Sequence, residues 1–206
     1  MKKTFDKMHN KEQLFFIVQK LKSEIESAIL IAAQNQFFAE GFNNATMRSI
    51  ADAAGIHVSN LYLYFKNKEA LFNRIVTPFQ LKFDKNLKAF FDHNDDKKSI
   101  HENIKTLVKI FTVVIREERK LFIILFDKSE GTKFKTYKEN QVRFLADHIK
   151  NEINQPFNPE ILLIIINNLF NCFIHVAKIS KTNESIEQNL TLVLQYHVSG
   201  ISGFIN

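Results

Sequence analysis

The stretch TMRSIADAAGIHVSNLYLYF, residues 46–65, decides how this chain is read. Thr46 is placed to cap a helix, because its hydroxyl accepts a free amide of the following turn. Ile50, Ala51 and Ala54 recur behind it at helical spacing, which predicts a short helix over 47–54 with one apolar face. Gly55 comes next, and a glycine just past a helix end reverses the chain in left-handed backbone at little cost. Ile56 then plugs the angle, and a second short helix is expected over 57–64 with Leu61 facing inward. Two short helices joined by a tight glycine turn make a helix-turn-helix. Asn67-Lys68-Glu69-Ala70-Leu71 opens a third helix.

Outward from this stretch, every pattern is helical. Upstream, Ile25, Ala28, Ile29, Ala32, Ala33 and Phe37 form an i, i+3, i+4 stripe over 23–40, and Gly41 ends it. Residues 1–22 carry Lys2, Lys3, Lys7, Lys11, Lys20 and Lys22 against Asp6 and Glu12. They read either as a basic arm reaching DNA phosphates or as a frayed, solvated terminus. Downstream, a long helix begins at Lys68, and Pro78 inside it predicts a kink or a break. Helical stripes follow over 100–115, 121–126 and 133–153. A Gln155-Pro156-Phe157-Asn158-Pro159 linker precedes two more helices, over 159–179 and 184–201. Nothing alternates with period two, so the expected class is all-α. It comprises an N-terminal three-helix unit with the helix-turn-helix over 1–68 and a larger helical unit over 69–206.

Composition agrees and narrows the function. Apolar residues make up 45% of the 206, with five Gly and three Pro, as in an ordered helical protein. The net charge of +6 and pI near 9.3 favour an anionic partner. Cys172 is the only cysteine, so no internal disulfide forms, and a lone thiol suits a reducing cytoplasm. The run at 161–166 is interrupted by Asn167, Asn168 and Asn171, short of the about 20 apolar residues of a membrane span, so it reads as a buried helix. No membrane partner is expected.

The pattern AxxAGIxxSNLYLYFKNKEAL, residues 51–71, resembles the DNA-binding segment of the TetR family of bacterial transcriptional repressors. The shared features are the Ala-Gly turn, the Leu-Tyr-x-Tyr-Phe run and the Lys-x-Lys-Glu-x-Leu after it. The family often has serine near the recognition-helix start and lysine next, where this chain has His57 and Val58. That departure implies an altered operator sequence.

The N-terminal residues of the second helix meet base edges in the major groove, so His57, Val58, Ser59 and Asn60 are the candidates for base reading. Asparagine bonds adenine in bidentate fashion, and a valine methyl suits a thymine methyl. Thr46 and Lys68 sit at helix N-termini, whose free amides suit phosphate. By resemblance, Arg48 aligns with a position that reaches a guanine edge, and Tyr62 and Tyr64 match aromatic positions that contact phosphate or sugar. For Tyr62 a core role is the alternative.

The resemblance further implies a homodimer on a palindromic double-stranded operator, with the last two helices as the dimer surface: Leu163, Ile166, Phe173, Leu190, Val193, Leu194, His197 and Ile201. The middle helices would enclose a pocket for a small apolar or aromatic effector. Phe111, Phe122, Phe126, Phe144 and Phe170 would be its walls, and Tyr137, His148, Asn167, Asn171 and His175 its polar points. Plain core packing is the competing reading for each of them.

No HExxH, paired CxxC, GxSxG or glycine-rich phosphate loop occurs, so no enzyme, metal or cofactor is expected. The expected function is a ligand-released repressor. The alternative is a binding module of the same fold that does not engage DNA.

Overall fold

The computed structural model describes residues 2–92, 100–152 and 158–205, with side chains described over 13–92, 106–150 and 158–200. Among the described residues the chain is helical without strands: α1 (Lys2–Asn44), α2 (Met47–Ala53), α3 (Val58–Tyr64), α4 (Lys68–Asp92), α5 (Ile100–Asp127), α6 (Tyr137–Glu152), α7 (Pro159–Ile179) and α8 (Asn183–Ile205).

Helix α1 starts far upstream of residue 23. No glycine or proline interrupts residues 2–40, so nothing stops the helix short of its packed part. The extension lays bare Leu14, Phe15, Phe16, Ile17, Val18 and Leu21, all more than half exposed. Over its described part it is therefore helical and not a frayed end. The side chains of Lys2, Lys3, Lys7 and Lys11 lie outside the described residues.

At Gly41 the backbone takes φ 75°, and the helix axis breaks there. The turn lets the Phe42 amide donate to the Lys128 carbonyl at 3.0 Å, which ties the end of α1 to the end of α5. Phe42 and Phe37 close on Phe72 of α4 with ring centroids 5.1 and 5.0 Å away, and Phe72 meets Phe134 at 6.1 Å. One aromatic seam thus runs from the N-terminal helices into the C-terminal part.

Helix α4 runs through Pro78 without a break. Pro78 is exposed, so the carbonyl it leaves without a donor lies on the water-facing side. Helix α5 unites the stripes at 100–115 and 121–126 across a kink at Glu118 (φ −128°, ψ 29°). Its inner face packs against α4, α7 and α8, and α6 packs on α7. Helix α7 is long and apolar enough to cross a membrane. Here it buries Leu162, Ile166, Leu169, Phe170, Phe173, Ile174, Val176 and Ala177 in the protein core.

Candidate nucleic-acid interface

The site is built from two caps and one glycine. Thr46, in extended backbone, starts α2 with a capping box. Its Oγ1 accepts from the Ser49 amide at 3.0 Å, and Ser49 Oγ accepts from the Thr46 amide at 3.2 Å. Gly55 has φ 69°, and an added Cβ would meet nothing within 4 Å, so backbone geometry alone asks for glycine there. The turn is closed by Gly55 N–H to Asp52 O (3.1 Å) and Ile56 N–H to Ala51 O (3.0 Å).

His57 then caps α3. Its Nδ1 accepts from the Ser59 amide at 3.4 Å and lies 2.7 Å from the Ser59 hydroxyl. The histidine thus does what a serine, threonine or aspartate does at most helix starts. Leu61 is fully buried and anchors α3, while Ser59, Asn60, Tyr62 and Leu63 face outward. Val58 and Tyr64 are half-buried against the small core. The two tyrosines divide: Tyr62 points to solvent, and Tyr64 is the ring that packs.

Arg48 of α2 shares one surface concavity, of about 620 Å³, with Asp52, Gly55, Ile56, His57 and Val58. The fold therefore brings Arg48 beside the start of α3, as a contiguous reading surface requires. Leu63 was missed by the sequence reading. It is 81% exposed and stands four residues from Ser59 and three from Asn60, so helical spacing alone would have found it.

Lys68 differs from expectation. Its ammonium donates to the carbonyls of Phe42 (2.6 Å), Asn43 (3.2 Å) and Ala45 (2.8 Å) and lies 4.4 Å from the Phe42 ring centre. Partial burial holds its pKa below the usual lysine value. The ammonium clamps the chain at the end of α1 and does not stand free at the helix start. One of its hydrogens must leave a carbonyl before it can reach phosphate.

Two further groups of expected site residues are redistributed. Phe111, Phe122, Phe126, Phe170 and Tyr137 are buried and pack on one another, with Phe122–Phe126 at 4.7 Å, Phe126–Tyr137 at 5.2 Å and Phe126–Phe170 at 5.7 Å. They fill the core where a pocket was expected. Phe144 and His148 instead line an open cleft beside α4. Asn171 and His175 lie on the exposed side of α7, and Asn167 is half-buried. Of the expected dimer residues, Ile166, Phe173, Leu190, Leu194 and His197 are buried within one chain and cannot face a partner. Leu163 and Val193 are half-buried, and the Ile201 side chain lies outside the described residues. Among the described residues, the large apolar side chains that α7 and α8 turn outward are Ile161, Ile164, Ile179, Leu192 and Tyr196.

Fold and site together define an all-α protein that presents a helix-turn-helix, the architecture that sets a short helix into the major groove. The sequence profile of the bacterial regulatory proteins of the tetR family matches residues 29–75, which span the packed part of α1, the helix-turn-helix and the start of α4. The chain is 37% identical over 62 residues to the uncharacterized HTH-type transcriptional regulator YdgC of Bacillus subtilis, covering 30% of this chain and 32% of that one. It is 27% identical over 104 residues to the HTH-type transcriptional repressor BepR of Brucella suis, half of each chain. The matches thus span a third to a half of these curated relatives. Among solved structures, a TetR-like transcriptional regulator from Rhodococcus sp. RHA1 superposes with a TM-score of 0.59 at 20% identity, over 85% of this chain and 96% of that one. Residues 29–75 are thus similar to the bacterial regulatory proteins of the tetR family, and the likeness to the solved structure extends the shared fold over most of the chain.

Proposed function

We propose that this protein is a sequence-specific DNA-binding transcriptional regulator, a homodimeric repressor that a small ligand releases from a palindromic operator. The observation that carries this reading is the outward face of α3. Ser59, Asn60, Tyr62 and Leu63 stand clear of the fold, Leu61 holds them from behind, and Arg48 flanks them. A short, rigidly seated helix with polar side chains at its start is what base-edge reading needs. His57, Ser59, Asn60 and Arg48 would read bases. Val58 would touch a thymine methyl at the edge of the face. Thr46 and Tyr62 would contact the backbone, with Tyr64 and Lys68 supporting them from the core side. Such backbone contacts set register and leave sequence to the base contacts.

The unit that binds DNA is taken as residues 1–68, and 69–206 as the unit that dimerises and senses ligand. The exposed apolar side chains of α7 and α8 are the natural surface for a second copy, since contiguous apolar faces mark protein contacts. A regulator of this kind works beside the chromosome, in the cytoplasm, without catalytic turnover. Release needs an effector that favours the chain spacing which misfits DNA, because a ligand indifferent to the two states shifts nothing.

The test is a fluorescence-anisotropy titration of the duplex upstream of the protein's own gene. Tight binding that collapses as salt rises, and that weakens on Asn60→Ala, supports the reading. Equal, weak affinity for that duplex and for a scrambled one, unchanged by Asn60→Ala, contradicts it and leaves a binding module of the same fold.

A further inference from the structure

Helices α4 and α6 do not pack closely. They enclose an open cleft of about 460 Å³ lined by Asp84, Leu87, Phe91, Gln141, Phe144 and His148, with Lys88 and Asp92 at its rim. The walls are aromatic: Phe91 meets Phe144 at 5.5 Å and the His148 ring at 4.2 Å. Phe144 is 43% exposed, a large ring left open to whatever enters.

On the α4 side lies Asp84, part-buried. Its carboxylate accepts from Gln80 Nε2, from the Tyr137 hydroxyl and from Gln141 Nε2 (3.1 Å). All three donors are neutral. Burial and the bond to Asp84 raise the Tyr137 pKa far above its ordinary value, so the phenol keeps its proton and donates to the Asp84 carboxylate. Some acidic side chains elsewhere meet cations: Glu26 meets Arg74, Glu118 meets Lys82, and Asp127 meets Lys178. Asp84 is half-buried, and among the described residues no lysine or arginine pairs with it. Lys88, one turn along on the rim, makes no ion pair with it. Two carboxylates against one ammonium leave the cleft with an excess of negative charge in a protein that is basic as a whole.

An uncompensated carboxylate beside open aromatic rings is complementary to one ligand chemistry. The ring faces attract a cation, the apolar walls take its body, and the carboxylate neutralises it. We propose that the α4–α6 cleft binds an organic cation with an aromatic or otherwise apolar body, its charge against Asp84 and its body against Phe91 and Phe144. This rests on the ligand-released reading above and names the site and class of that ligand. Because Asp84 stands on the helix that begins at Lys68, occupancy acts directly on the element joined to the helix-turn-helix.

The test is isothermal titration of the full chain with tetraphenylphosphonium, and with triphenylphosphine oxide as a neutral relative. The wild type should bind the cation at least about tenfold more tightly than the neutral compound. Asp84→Asn should abolish that preference while leaving the neutral compound unaffected, and Phe144→Ala should weaken both. Lys88→Gln, at an exposed position, should tighten the cation alone, and it decides the matter if Asp84→Asn melts early by circular dichroism. Equal affinity for the two probes, no binding of either, or a cation affinity indifferent to both Asp84→Asn and Lys88→Gln overturns the proposal. Duplex binding without probe is measured alongside. If duplex is bound and the cation is not, the cleft assignment alone fails; if the cation is bound and no duplex is, the regulator reading fails and the cleft assignment stands.

Discussion

His57 holds the first turn of α3 through the Ser59 amide, a bond usually made by a hydroxyl or carboxylate. His57→Ala is expected to cost about 0.5–2 kcal/mol in urea unfolding, and His57→Ser to recover most of it. A His57→Ala protein as stable as the wild type would show that the cap bond carries no weight. Asn60 faces water and touches nothing it would miss, so Asn60→Ala should leave stability unchanged. It should cost about 1–3 kcal/mol of operator affinity, confined to the base position it reads. Lys68 makes the opposite case. Its ammonium satisfies three main-chain carbonyls, so Lys68→Met should lower stability by about 1–2 kcal/mol, part of the charge-assisted strength being screened by solvent. A Lys68→Met protein with an unchanged unfolding midpoint but lost DNA binding would restore the phosphate role expected from its place at a helix start. The sequence shows a lysine at the first turn of a helix; it does not show that the chain end before α2 curls back over that lysine.

Elements with a strong local signal were legible, and those set by distant contacts were not. Thr46, Gly55 and Leu61 are a cap, a left-handed turn and an inward apolar residue, all readable within a few positions, and α2 and α3 lie within a residue of expectation. The run of α1 past residue 23 and the passage of α4 through Pro78 were not readable. In the first case no breaker was there to weigh, and in the second the outcome depended on which side of the helix met water. The buried faces of α7 and α8 were assigned to a partner because the resemblance pairs the last two helices, and periodicity does not say which side a neighbour takes. Two glycines test the account of the turns. Gly55→Ala meets no atom and pays only for its backbone, so a loss of about 1 kcal/mol is expected. At Gly131, φ is 85° and a Cβ would collide with the Asn43 side chain, so Gly131→Ala should cost more than Gly55→Ala in the same thermal melt. The reverse order would contradict the close approach of the turn after α5 to the end of α1.

At the scale of the whole molecule, the proposed assembly depends on the outward apolar side chains of α7 and α8. Leu192→Asp with Ile164→Asp, both at exposed positions, should leave the melting of the single chain intact and turn a dimer into a monomer in sedimentation equilibrium. A dimer that survives both would place the interface elsewhere, and the exposed run at Leu14–Leu21 of α1 would be the next surface to examine. The pairing matters because one short helix offers few base contacts, and a two-fold pair set one DNA turn apart, about 34–36 Å, doubles them. The most direct measurement is therefore the selection of duplexes from a randomised pool by the purified protein, followed by sequencing of the bound fraction. Enrichment of an inverted repeat, with half-site centres one turn or a multiple of it apart and lost on Asn60→Ala, is the predicted result. A bound fraction indistinguishable from the starting pool at low salt would contradict the account.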